Sequence, residues 1–159
     1  MREIVLVVTA SITPISLAAE LRALGFIGRL VAPTDGGYDS ARGGWNGATD
    51  RRPVAVADAT DADDVAAAIQ AARALGMPFT IRAGGDSVSG RSVRDGAVCI
   101  DLRALNAVDV DPGRAVVRVG GGALLGELDR ATHEHGHAVP AGQISRLVLV
   151  RDECLRGAA

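Results

Sequence analysis

The chain predicts an α+β fold of two small α/β lobes, the first holding a parallel strand–helix–strand unit and the second mainly antiparallel. Three observations carry this. Between residues 54 and 82 two short apolar runs flank a segment with a 3.6-residue period, the pattern of a strand, a helix and a strand. From residue 98 the period becomes two, and Asp111-Pro112-Gly113 supplies a hairpin turn. At 159 residues and 48% hydrophobic composition, the chain is long and apolar enough for one domain or two small lobes with a core. Only 3% of residues are aromatic, so Val, Leu, Ile and Ala must build that core.

The elements follow in order. Ile4 to Val8 reads as a short buried strand. Thr13-Pro14 offers an N-cap followed by proline at the first helical position, with Leu17, Leu21 and Leu24 on one face and Gly25 as the stop. Pro33 to Gly37 is a loop, and Tyr38 to Asn46 is a weak helix diluted by Gly43 and Gly44. Val54 to Ala57 is a strand. Thr60-Asp61-Ala62-Asp63 caps a helix whose Val65, Ile69, Ala72 and Leu75 share a face before Gly76. Asp61, Asp63 and Asp64 read as a solvated acidic first turn. Phe79 to Arg82 and Val98 to Asp101 are strands, Leu102 to Leu105 is a helical turn, and Val108 to Val110 pairs with Val117 to Val119. Gly120-Gly121-Gly122 ends the hairpin. Ala123 to His135 is a helix with Leu124, Leu125 and Leu128 inward.

Composition and motif counts exclude several functions. Seventeen basic residues, all of them Arg, against 19 acidic ones give a net charge of −2, which excludes nucleic-acid binding by bulk electrostatics. The lysine-free, Ala-, Gly- and Val-rich usage resembles a GC-rich bacterial coding sequence. No run approaches about 18 uninterrupted apolar residues, so no membrane span is expected. The N-terminal apolar run is too short for a signal peptide, so the expected location is cytoplasmic. Cys99, inside an apolar run, reads as a buried spectator, and Cys154 lies in the tail. His133 and His137 are four apart, but Gly136 ends the helix between them, so no metal site is expected. Trp45 reads as a packing residue between the N-terminal segment and the rest.

The chemistry is concentrated in Arg82-Ala83-Gly84-Gly85-Asp86-Ser87-Val88-Ser89-Gly90, directly after a strand. Glycines admit positive φ and close approach to the backbone, so successive N–H groups can line an anion-binding nest, with Ser87 and Ser89 as further donors. A flexible connection between lobes is the alternative, because the spacing is neither a P-loop nor a dinucleotide fingerprint.

The flanking residues extend the pattern. Tyr38-Asp39, Trp45-Asn46-Gly47 and Asp50-Arg51-Arg52-Pro53 precede it. Asp95-Gly96, Ile100-Asp101-Leu102, Val119 to Asp129 and Gly136 to Gly142 follow in order. Over roughly residues 28 to 145 this resembles the FAD-binding, PCMH-type domain of berberine bridge enzyme-like oxidoreductases of the vanillyl-alcohol-oxidase type. The resemblance divides the chain into an N-terminal segment (1–50), a partial FAD-binding domain (51–145) and a divergent tail (146–159). It implies FAD as cofactor, with Arg82, Ala83, Gly84, Gly85, Asp86, Ser87 and Gly90 around the pyrophosphate and Pro140, Ala141 and Gly142 towards the flavin. It also implies oxidation of a small organic substrate by hydride transfer to FAD, with dioxygen as acceptor.

Two departures stand out. Asp86 replaces the family's flavin-linking histidine, so any FAD is expected to be non-covalent. Ala83 replaces a glycine, which is tolerable only at negative φ. After Ser145 the family's second Gly-rich stretch, Thr-Gly-Val-x-Gly-Leu-Thr, is replaced by Arg146-Leu147-Val148-Leu149-Val150, as a truncated or frameshifted product would read. No catalytic residue is therefore assigned to this chain. The expected partners are FAD and either a missing C-terminal half or a second copy. A non-catalytic remnant or interaction module without flavin is the competing expectation.

Overall fold

In a computed structural model, residues 13–142 and 144–148 are described. The expected strand at Ile4 to Val8 and the tail beyond Val148 lie outside them. The described residues form an α+β fold, as the period switch predicts. Helix α1 (Pro14–Ala23) leads to strand β1 (Arg29–Val31), the short helix α2 (Tyr38–Arg42) and strand β2 (Ala55–Asp58). Helix α3 (Ala62–Ala74), β3 (Phe79–Arg82) and β4 (Val98–Asp101) complete a four-stranded sheet of order β1-β2-β4-β3. Strands β5 (Val108–Asp111) and β6 (Val116–Val119) form a separate antiparallel pair, followed by α4 (Leu125–His133).

Strands β2 and β3 both run parallel to β4, which inserts between them with Ala55 opposite Val98 and Phe79 also opposite Val98. Because β4 is covered on both faces, all four of its residues are buried, and it reads as a continuous apolar run rather than an alternating one. Ala55, Ala57, Val98 and Ile100 face a core closed by Leu17 and Leu21 of α1 and Ala68, Ala71 and Ala72 of α3. Val56 and Cys99 point the other way, towards Val31, Tyr38, Ala41 and Val93. The Tyr38 hydroxyl donates to the Pro53 carbonyl at 2.5 Å, tying α2 to the start of β2. Burial pushes the Cys99 thiol up to about 11, as suits a spectator.

Several expectations are corrected. Strand β1 was not expected; it pairs antiparallel with β2, and three residues leave too little periodicity to be visible. The buried face of α3 is an alanine face, Ala67, Ala68, Ala71 and Ala72, while Val65 and Ile69 pack at its margin. Small side chains let the helix approach a sheet whose own facing residues include Ala55 and Ala57. Leu125 and Leu128 are buried in α4, but Leu124 is its N-cap and only half-buried. Trp45 is 71% exposed rather than packed, because its segment meets the domain through the backbone, its N–H donating to the Gly85 carbonyl. Helix α4 ends at His133, and His137 folds back to donate its N–H to the Thr132 carbonyl at 3.0 Å. Among the described residues no group of three or more His, Cys, Asp or Glu could hold a metal ion. No helix among them is long and apolar enough to cross a membrane.

The acidic turn of α3 is not uniformly solvated. Asp61 is the N-cap, accepting the Asp64 N–H at 2.8 Å, but Asp64 itself is 1% exposed. Its carboxylate accepts from the Ile27 N–H and the Thr60 N–H, both at 2.8 Å, and from the Thr60 hydroxyl at 2.6 Å. Burial alone would raise its pKa. The Thr60 hydroxyl and the backbone N–H groups of Thr60, Ile27 and Gly28 outweigh it and hold the carboxyl below 3.8. A depressed carboxyl stabilises the fold fully above its unfolded value of about 3.9, and that contribution is lost as pH falls through the lower folded value. Urea unfolding of Asp64→Ala should show a loss of about 1–3 kcal/mol at neutral pH for the stranded donors, with a shallower decline than wild type below pH 4.

Candidate functional site

The Gly-rich loop begins where β3 ends, and its first residue is anchored inwards. Arg82 is 4% exposed; its guanidinium donates to the carbonyls of Ala41 and Gly43 and to Asp101 Oδ2 at 3.3 Å. Its Nε is buried without a hydrogen-bond partner among the described residues. Asp101, 2% exposed at the end of β4, also takes Arg103. Arg103 Nε lies 2.9 and 3.0 Å from the two carboxylate oxygens, Nη2 lies 2.8 Å from Oδ2, and the Arg103 N–H donates to Oδ1 at 2.9 Å. Burial, then the like charge of Arg103, pull the Arg82 pKa down against the pull of Asp101. The hydrogen bond to Asp101 raises that of Arg103. Arg82 is thus a structural clamp between the sheet and the end of α2, and its side chain is turned away from the loop's open side.

Beyond this clamp the chain turns on Gly85 (φ +79°) and Gly90 (φ +66°). A Cβ at Gly85 would lie 3.0 Å from Arg82 Nε, so the loop is folded over the guanidinium it starts from. Ala115 is the one described non-glycine residue at positive φ, so Ala83 lies outside the left-handed region. The residues 43–49 brace the loop from one side. Gly85 and Val88 give their carbonyls to the Trp45 N–H at 2.9 Å and the Asn46 side-chain amide at 2.7 Å, and Gly90 lies against Thr49.

The carbonyls of Gly85, Ser87 and Val88 are engaged, while the loop's donors are not. Among the described residues, none of the six consecutive N–H groups from Gly84 to Ser89 has a protein acceptor. Ser87 and Ser89 hydroxyls are 3.3 Å apart, and Ser87 Oγ accepts from the Arg91 N–H. A row of open N–H groups on a glycine turn is the arrangement that binds phosphate oxygens.

On its other side the loop borders a cavity of about 280 Å³, where Gly84 and Asp86 face Arg103, Glu127, Arg146 and Val148. The Val148 side chain fills the hollow that Gly84 leaves, for a Cβ there would sit 2.4 Å from Val148 Cγ2. Asp86 accepts from the Val148 N–H at 3.4 Å, and Glu127 accepts from the Leu124 N–H at 2.8 Å. Both carboxylates are thereby drawn to backbone donors. The residues 144–148 cross the start of α4, taking the N–H groups of Leu125 and Gly126 at 2.9 Å each. Pro140, Ala141 and Gly142 are exposed; Gly142 lies against Leu125, and none of the three lines this cavity. A larger groove of about 880 Å³ between α1 and β1 is mainly apolar and shares no residue with the loop.

Arg103 was not foreseen as part of this site. Its signal was its place two residues after Asp101 at the end of a buried strand. Asp101→Asn would strand the Arg82 guanidinium among carbonyls without a counter-charge. Chemical denaturation should show a loss of about 3–5 kcal/mol, the cost of breaking a buried ion pair by removing one partner.

The comparisons with known proteins agree with this geometry. The FAD binding domain family matches residues 53–149. The (R)-6-hydroxynicotine oxidase of Paenarthrobacter nicotinovorans is 31% identical over 119 residues, covering 75% of this chain and 26% of that protein. An FAD-linked oxidoreductase of Aspergillus terreus is 36% identical over 114 residues, covering 72% of this chain and 14% of that protein. Among solved structures, 6-hydroxy-D-nicotine oxidase from Arthrobacter nicotinovorans superposes with a TM-score of 0.75 at 29% identity, covering 79% of this chain and 28% of that one. The wild-type BBE-like 1 protein of Physcomitrella patens gives 0.73 at 27% identity, again over 79% and 28%. The chain spans about a quarter or less of the length of these relatives. With the family matched over most of its length and a donor-rich glycine loop in place, this chain belongs to the FAD binding domain family of FAD-linked oxidoreductases.

Proposed function

We propose that this chain is the FAD-binding portion of an oxidoreductase that oxidises a small organic substrate by hydride transfer to FAD, with dioxygen as the final acceptor. The observation that carries the reading is the row of open N–H donors from Gly84 to Ser89. A run of backbone N–H groups with no protein acceptor on a glycine turn is an anion nest, and a pyrophosphate supplies the acceptors. The residues present fit such a group. The loop offers its backbone, Asp86 turns its carboxylate towards the Val148 N–H, and Arg103 adds a positive charge at the rim.

In this reading Gly84, Gly85, Asp86, Ser87 and Ser89 hold the pyrophosphate through their N–H groups. Arg82 fixes the turn from below, Ala83 joins clamp to loop, and Gly90 returns the chain towards Thr49. When bound, the flavin supplies the electron sink for the substrate's hydride, and the protein contributes binding and orientation. Asp86 has no ring nitrogen with which to form a histidyl–flavin bond, so attachment is non-covalent. Pro140, Ala141 and Gly142 lie towards the flavin end, which a C-terminal portion or a second chain completes.

The test is to load the chain with FAD, pass it through gel filtration and precipitate the flavin-containing fraction with acid. The expected result is co-eluting flavin with a shifted absorption band, released entirely into the acid supernatant. A yellow pellet overturns the non-covalent reading, and flavin left behind on the column overturns FAD binding itself. Gly85→Val should abolish retention, because it places a branched side chain at positive φ against the Arg82 guanidinium.

A further inference from the structure

We infer that Arg103 is a charge-bearing binding residue for the cofactor's diphosphate, held in place by Asp101. This rests on the FAD reading above and adds a fixed side-chain charge, beside that of Arg146, to the backbone donors of the loop. Two guanidinium groups share the single Asp101 carboxylate, so the cluster beneath the loop carries one surplus positive charge. Arg82 is sealed inside, with its side chain 5% exposed, and cannot present that charge to a ligand. Arg103 can: its side chain is 49% exposed and borders the cavity that Gly84 and Asp86 also line.

The orientation of Arg103 is set before any ligand arrives. Nε and Nη2 are both spent on Asp101, and its own N–H is bonded to the same carboxylate. Nη1 has no partner among the described residues and remains for an incoming anion. A guanidinium locked by a buried carboxylate loses little side-chain freedom on binding, which a free surface arginine would have to give up. Gly122 packs directly against the backbone that carries Arg103. A Cβ there would lie 2.1 Å from the Leu102 carbonyl oxygen, so only glycine lets that backbone lie flat on the segment carrying Arg103. The two acidic residues of the cavity, Asp86 and Glu127, are each bonded to a backbone N–H, which moderates their opposition to an anion.

The test measures FAD affinity of the full chain as wild type, Arg103→Met and Arg103→Lys, at low and high salt, with thermal unfolding as a control for folding. Removing a hydrogen bond to a charged group predicts about a 10- to 100-fold loss of affinity for Arg103→Met. The gap should narrow as salt rises, and Arg103→Lys should recover part of it. Unchanged affinity in Arg103→Met overturns the proposal while leaving the FAD reading intact. An equal loss at every salt concentration, shared by Arg103→Lys, assigns Arg103 to the scaffold alone and also overturns it. Wild-type chain that retains no FAD removes the FAD reading, and this proposal with it.

Discussion

The buried carboxylate of Asp101 is the constraint on which the rest of the site depends. It closes the central strand, faces Arg82 at the end of the neighbouring parallel strand, and receives Arg103 from the turn that follows. A charge this deep in a small domain is tolerated only when paired and hydrogen-bonded. Removing either the sheet register or the turn would leave it exposed to that cost. Arg82 transmits the constraint outwards by donating to the carbonyls at the end of α2 and carrying the first residues of the glycine loop. The loop is thus shaped from below by an ion pair, and glycine permits the shape without dictating it.

That arrangement explains the division of labour in the loop. The carbonyls of Gly85, Val88 and Ser87 are taken by Trp45, Asn46 and the turn at Gly90, while the N–H groups from Gly84 to Ser89 have no acceptor among the described residues. A loop braced through its acceptors presents its donors, and a donor surface selects an anion. The side chains around the loop are set by packing: Arg82 is internal, Asp86 accepts from the Val148 N–H, and Gly142 lies against Leu125.

The residues 144–148 complete one wall of the site, crossing the first turn of α4 and filling the hollow at Gly84 with Val148. The segment is held there by generic means. Backbone N–H groups at the start of a helix donate to any carbonyl offered to them, and a glycine hollow admits an apolar side chain of suitable size. The FAD binding domain match runs over residues 53–149, and the chain spans about a quarter of the first relatives' length.

The sequence by itself determined the α+β class, nearly every element and the location of the glycine loop. Each of these is written in local signals: the capping residues of α1 and α3, the apolar runs of β2 and β4, the Asp-Pro-Gly turn and the spacing of glycines. Other features were decided only by tertiary structure. They include β1 as a partner for β2, β4 inserted between β2 and β3, the alanine face of α3, the burial of Asp64 and the exposure of Trp45. So too was the pairing of Asp101 with two arginines, which buries Arg82 as a clamp beneath the loop and brings Arg103 to the rim. The physical reason is common to all of them. Strand pairing, helix-face burial and charge compensation depend on residues far apart in the chain, and a side chain's environment is set by what the fold lays against it.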